Sequence, residues 1–173
     1  AATDTPQLSV RIVVTRSAQV QALCKAQGVP VLLHALPGRN DTVRLGLSAL
    51  LAQHPELTGC MFLPGDQPLL RRATVDQLLT AFAQTQKETE RVIFRLGAPA
   101  GNGPDPLVGS PVLFSNGFFP ELLTLPESKG GSVLLHKYPT LVHTACIAQP
   151  EELADTDTPA ALAQLEALVR EKG

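Results

Sequence analysis

The sequence predicts a three-layer α/β/α sandwich around a mainly parallel sheet, and three observations carry that expectation. Short apolar runs alternate with segments of helical period, as successive βα units do. The 173 residues, 44% hydrophobic and 17% charged, suffice for one globular domain with its own core. One buried-looking run, Cys60 to Leu63, stops at Pro64-Gly65 and delivers a lone carboxylate, Asp66. No internal repeat or domain boundary is visible, so residues 1–173 read as a single domain.

In chain order, Leu8 to Thr15 is rich in β-branched residues and reads as a strand. Ser17 is placed to cap a helix running to about Gln27, stopped by Gly28. Val29 to His34 is a second strand. After the Pro37-Gly38 loop, Arg39 to Thr42 opens a helix with Val43, Leu47, Leu50 and Leu51 on one face. The Cys60–Leu63 strand is third, and Thr74 is expected to cap a helix carrying Val75, Leu78, Leu79 and Phe82. Arg91 to Phe94 is a fourth strand. The stretch Leu96–Gly109 holds four glycines and three prolines and is expected to be irregular and mobile, as a disordered insert or a substrate loop. Pro111–Phe114 resumes as a strand, Phe118–Leu125 as a short helix, Ser128–Ser132 as the entry to a helix ending near Lys137, and Leu141–Ile147 as a last strand. Thr158 followed by Pro159 is a strong helix start, with Ala161, Leu162, Leu165 and Leu168 on one face.

Composition narrows the function. A net charge of −2 argues against a broad nucleic-acid surface while permitting a local basic pocket. No run is long enough to span a bilayer, and the polar AATDTPQ start is not a signal peptide. Cys24, Cys60 and Cys146 are odd in number and widely spaced; they read as reduced and buried, in a cytoplasmic protein. The four histidines show no paired-ligand spacing.

Asp66 falls where an open sheet places its ligands, outside the carboxyl end of a strand. A carboxylate there suits Mg²⁺, which takes one or two carboxylates together with substrate phosphates; the other reading is a residue that starts the next helix. The phrase Leu63-Pro64-Gly65-Asp66-Gln67-Pro68-Leu69-Leu70 resembles the strand end that binds metal in molybdenum-cofactor nucleotidyltransferases, CTP:molybdopterin cytidylyltransferases in particular. The resemblance spans essentially the whole chain. It implies a fold like that of nucleotide-diphospho-sugar transferases.

The same resemblance assigns residues. Asp155-Thr156-Asp157-Thr158-Pro159 is similar to the family's closing Asp-x-Asp-Thr-Pro, with Ala161 where an acidic residue is usual. It implies Asp155 as the second catalytic and metal ligand beside Asp66, with Asp157 next to the helix start. Arg39-Asn40-Asp41-Thr42-Val43-Arg44 resembles the nucleotide-contacting turn of cytidylyltransferases, making Arg39, Thr42, Asp66 and Gln67 nucleotide-binding. Arg44, one turn on, is expected to be solvated or salt-bridged. Gly109-Ser110-Pro111 is similar to a family motif with histidine in the place of Ser110, and Lys129-Gly130 to a turn before a helix; Gly109, Ser110, Lys129 and Gly130 become acceptor-binding.

The implied reaction transfers CMP from CTP to a molybdopterin-type acceptor with release of pyrophosphate, with a molybdoenzyme or a second copy as protein partner. Two other readings stay open: a non-catalytic pterin- or nucleotide-binding module, and a nucleotidyltransferase for another phosphorylated acceptor. The family's first strand and glycine-rich signature loop have no counterpart in these residues. That implies either a fragment lacking its N-terminal βα unit or a relative that has lost catalysis, with an uncovered strand edge able to pair with another chain and weak or no transfer by this chain alone.

Overall fold

The computed structural model describes residue 5 and residues 7–99, 106–126 and 128–172. Its strands are β1 (Val13–Thr15), β2 (Val31–Leu33), β3 (Gly59–Phe62), β4 (Ile93–Ala98), β5 (Leu107–Ser115) and β6 (Val142–Cys146). Its helices are α1 (Ala18–Ala26), α2 (Arg39–Gln53), α3 (Arg72–Thr85), α4 (Phe119–Thr124), α5 (Ser132–Lys137) and α6 (Pro159–Lys172). β1 and β2 form a parallel pair; the other four strands form a sheet in the order β3-β5-β4-β6.

That sheet is mixed, which corrects the expectation of a mainly parallel one. β5 runs antiparallel to both β3 and β4, whereas β4 and β6 are parallel. The cause is the length of the connection. A parallel crossover takes roughly a dozen residues or more, and the chain from Ala98 to Leu107 is shorter than that. β5 therefore returns beside β4 and lodges between it and β3. The alternation of β5 splits the core in two. Leu113 packs with Val75, Leu78, Phe82, Phe94 and Leu96 beneath α3. Phe114 packs with Leu47, Cys60, Phe118, Leu122 and Leu134 beneath α2, α4 and α5. Helices thus cover both faces of the sheet.

The stretch expected to be irregular is the second correction. Leu96, Gly97 and Ala98 complete β4, and Leu107 to Gly109 open β5, so both flanks of the supposed loop are ladder; residues 100–105 lie outside the described residues. Gly97, read from the sequence as a breaker, is there for close packing. A Cβ on it would collide with Thr144 Cγ2 on β6 and lie 3.3 Å from the Leu107 carbonyl. Pro111 is tolerated in the middle of the sheet because the β4–β5 register jumps from Val112 to Gly109, leaving Ser110 and Pro111 outside the ladder.

Helix starts divide by whether the cap is local. Ser17 Oγ accepts from the Val20 amide (3.3 Å) and Thr158 Oγ1 from Ala161 (3.1 Å), as the spacing predicts. Gly28 ends α1 at φ +65. Thr74, by contrast, caps nothing: α3 begins at Arg72, and Thr74 is buried inside its first turn. On α6 Leu165 is buried and Leu162 exposed, and the Leu168 side chain lies outside the described residues. Of the cysteines only Cys60 is buried, which pushes its thiol pKa up to about 12. Cys24 is half-buried and Cys146, at the end of the marginal strand β6, is exposed; all three are free. Among the described residues no helix is long and apolar enough to cross a membrane.

Gly97→Ala is expected to destabilise the protein by about 1–3 kcal/mol, the usual range for overpacking, read as a lower urea midpoint at unchanged m-value. Gly97→Ala combined with Thr144→Ser removes the methyl in the way and should recover part of the loss.

Candidate functional site

β3, β4 and β6 share one direction, so their carboxyl ends share one edge of the sheet, and the amino end of β5 falls on that edge too. Beyond β3 the chain turns through Pro64-Gly65 to Asp66. Beyond β6 it passes through a 3-10 turn, Pro150–Leu153, and reaches Asp155 to Asp157. Three sets of bonds stitch these segments together. The Asp66 carbonyl accepts from both the amide (3.0 Å) and the hydroxyl (3.1 Å) of Thr156. Gln67 Nε2 donates to the Leu153 carbonyl at 3.4 Å. The carboxylate of Glu152, wholly buried, accepts from the Arg71 backbone amide (3.1 Å), Arg71 Nε (2.9 Å), Arg71 Nη2 (2.6 Å) and Thr74 Oγ1 (2.5 Å).

Thr156 fixed on Asp66 brings both flanking aspartates into range. The Asp157 carboxyl lies against that of Asp66, and this contact, followed by the nearby charges of Asp155 and Asp66, raises its pKa above the usual carboxylate value. Two acceptors on the adjoining Asp66–Gln67 segment are buried without a hydrogen-bond partner: Asp66 Oδ1 and Gln67 Oε1. Paired carboxyls and orphaned buried oxygens on one edge suit a hard cation with oxygen ligands. No three His, Cys, Asp or Glu side chains converge into a metal cage among the described residues. The chain thus presents a pair, the arrangement used by ions that keep places for substrate phosphates.

The other sequence-derived candidates are placed less closely. Arg39 sits in the first turn of α2, but its side chain lies outside the described residues. Thr42 is exposed, and its hydroxyl meets His34 Nε2 at 3.2 Å; the α2 start is closed instead by Asp41 Oδ2 accepting from the Gly38 amide at 2.8 Å. Arg44 pairs with Asp41, as expected of a salt-bridged residue. Gly109 packs on Leu153, whose Cδ2 would lie 3.6 Å from a Cβ at this position, and Ser110 follows it half-buried. Lys129 and Gly130 lie in the turn into α5, where Lys129 donates its amide to the Pro126 carbonyl at 2.9 Å. Among the described residues, the bonds that join Asp66, Gln67, Leu153 and Thr156 do not extend to that turn. Sequence reasoning missed Glu152, Arg71 and Thr156. Glu152 and Arg71 are 81 positions apart, and no local pattern signals such a pair.

A family model described as MobA-like NTP transferase domain matches residues 3–163. No curated protein matches the sequence. Among solved structures, Rv0371c from Mycobacterium tuberculosis H37Rv is similar at 24% identity and a TM-score of 0.70, covering 90% of this chain and 74% of that one. The same protein in complex with manganese gives 24% identity and a TM-score of 0.63, with 89% and 74% covered. A CMP:2-keto-3-deoxy-manno-octonic acid synthetase complexed with CTP gives 16% identity and a TM-score of 0.69, with 99% and 85% covered. These likenesses establish an α/β nucleotidyltransferase fold.

The raised Asp157 pKa fixes the sign of a pH effect in metal-free protein. Between the ordinary carboxylate value and the raised one, the folded chain holds more protons than the unfolded, so stability falls as pH rises through that window. Asp157→Asn removes the repulsion. Its thermal midpoint should exceed that of the wild type at pH 7, and the difference should shrink as the pH is lowered toward 4. A difference that grows on acidification would contradict the pairing.

Proposed function

This chain belongs to the MobA-like NTP transferase domain family, and on that premise we propose that it transfers CMP from CTP to a molybdopterin-type phosphate, with the Asp66–Asp157 pair as the divalent-metal site. The observation that carries the reading is the junction of Asp66 and Asp157, with Asp66 Oδ1 left without a partner. Cytidine is favoured by the resemblance of the Arg39 to Arg44 segment to cytidylyltransferases.

In this scheme an oxygen of the acceptor phosphate forms a bond to the α-phosphorus of the nucleotide. The bond from that phosphorus to the bridging oxygen breaks, and pyrophosphate leaves with the electron pair. No side-chain nucleophile is required, so the residues act by position and charge. A bound Mg²⁺ or Mn²⁺ would supply positive charge for the phosphate oxygens. Asp66 and Asp157 would hold it; Asp155, close enough to act on Asp157 through its charge, would add to the negative field. The choice of Asp157 over Asp155 as the second ligand rests on that contact. A bound cation would favour the charged form of Asp157 that Asp66 and Asp155 disfavour. Gln67, the residue after Asp66, has a buried Oε1 without a partner and would offer it as a neutral acceptor. Arg39 in the first turn of α2 supplies a cation for the nucleotide phosphates, near a helix N-terminus that also favours anions. Gly109 and Ser110 face the same edge from β5 and would meet the acceptor; Lys129 and Gly130 would bind it only from the far side of the sheet.

The test is pyrophosphate release with CTP, GTP or ATP in the presence of molybdopterin and Mg²⁺ or Mn²⁺. Activity with CTP alone of the three, weak in these 173 residues, is the expected result. Activity with another base, or only with a different phosphorylated acceptor, would transfer the reading to another nucleotidyltransferase. Asp66→Asn and Asp157→Asn should each lower kcat by about 10²-fold or more, the scale for losing one preorganised charge contact, at near-wild-type dichroism. Asp155→Asn should be milder. Arg39→Ala should chiefly raise the KM for nucleotide.

A further inference from the structure

We infer that Glu152 is a positioning residue for the metal pair: buried beneath the site, it clamps the segment carrying Asp155 and Asp157 to the start of α3 and so sets the spacing of Asp157 from Asp66. The inference rests on the metal reading above. Glu152 is wholly buried and sits three residues before Asp155 and five before Asp157. Its two oxygens accept four hydrogen bonds, three from Arg71 and one from Thr74, so its bonding capacity is taken up inside the protein and none of these partners is a metal or substrate group. A carboxylate with no solvent contact persists only when paired and bonded in this way. It lies at the N-terminus of α3, whose start has no capping side chain of its own.

Two further anchors of the segment lead back to the site. Between the 3-10 turn and α6 the chain has no regular structure; the Leu153 carbonyl bonds to Gln67, and Thr156 bonds to Asp66. Both connect to residues that the proposal asks them to place. Glu152 instead ties the segment to the first turn of a long helix whose inner face lies in the core. With Glu152 released, Asp157 would hang from the groups it has to meet. Arg71 remains half exposed on its outer side, so it adapts to the carboxylate while the carboxylate is fixed.

The experiment titrates Mn²⁺ into the metal-free full chain and reads free Mn²⁺ by electron paramagnetic resonance, alongside amide exchange at Thr156 and at Leu113 in β5. Glu152→Gln keeps the size and loses the charge. It should weaken Mn²⁺ binding by about 10–100-fold, the scale for removing a partner that orients metal ligands, and unprotect Thr156 while Leu113 stays protected. Arg71→Lys, which keeps a cation beside the carboxylate, should restore most of the affinity lost in Arg71→Ala. Wild-type Mn²⁺ affinity in a folded Glu152→Gln overturns the inference. If Glu152→Gln does not fold, Thr74→Val decides: it removes one bond and no charge, and Mn²⁺ affinity equal to wild type would count against the clamp. Asp66→Asn separates the two layers of argument. Loss of Mn²⁺ in Asp66→Asn with none in Glu152→Gln sinks the clamp alone, whereas a wild type that does not bind Mn²⁺ sinks the metal reading and the clamp together.

Discussion

The insertion of β5 between β3 and β4 is the constraint on which the rest of the molecule depends. It is bonded along both sides, and its alternate residues, Leu113 and Phe114, enter the two separate cores. Because it runs against its neighbours, its amino end reaches the edge where β3, β4 and β6 finish. Ligand-binding residues gather at the carboxyl ends of strands in open α/β sheets; here the reversed strand also contributes to that edge, through Gly109 against Leu153. A fully parallel sheet would have sent this segment to the opposite edge. The mixed topology is therefore what allows chain segments so distant in sequence to border one site.

Among the described residues, two well-satisfied carboxylates contrast with the Asp66–Asp157 pair. Glu152 and Glu121 are satisfied. Glu121 accepts from Arg91, Lys137 and Tyr138, and the bond from Lys137, ahead of those from Tyr138 and Arg91, keeps its pKa below the usual value. Arg91 in turn lies 4.2 Å from the Phe118 ring centroid and 4.7 Å from that of Tyr138, so the cluster joins the start of β4 to α4 and α5. Asp66 and Asp157 are less well satisfied: the bond from Asp66 and the charges of Asp155 and Asp66 raise the Asp157 pKa, and Asp66 Oδ1 is buried without a donor. The satisfied Glu152 stands five residues from Asp157, so the two kinds of carboxylate share one short segment.

What was legible in the sequence was whatever depends on near neighbours. Ser17 and Thr158 announce helix starts because each bonds an amide three positions on. The strand periods of β3, β5 and β6 were visible for the same reason, with Cys60 and Phe62 on one face and Met61 on the other. Features set by distant partners were not. Gly97 looks like a loop residue until Thr144 is seen against it; Thr74 looks like a cap until Glu152 takes its hydroxyl. Cys146 sits in an apolar run yet is exposed, because β6 is the outer strand of its sheet. Asp66 could be singled out because a strand, a stop and a lone carboxylate are contiguous. The resemblance pointed to Asp155; the docking of Thr156 on the Asp66 carbonyl, which brings Asp157 near as well, depends on a partner 90 positions away and had no local signal.

The two halves of the proposed site rest on unequal foundations. Asp66 and the 152–157 segment are attached to the four-stranded sheet and α3, where the buried side chains are concentrated. The β1-α1-β2 part has none among residues 7–38, and Leu23 on α1 is 62% exposed. Between them lies α2. It packs on β1, buries Leu47 in the core beneath the sheet, and is moored at its start by buried Asn40, whose Nδ2 donates to the carbonyls of Leu122 and Leu125 at 3.5 and 2.9 Å. Regions with few buried apolar contacts open at lower free energy than the core. Arg39, proposed to meet the nucleotide, therefore owes its position to the moored N-terminus of α2 and not to the lightly packed strands before it. The segment carrying Asp155 and Asp157 is tied to α3 by the buried carboxylate of Glu152, and the start of α2 is tied to α4 by the buried amide of Asn40.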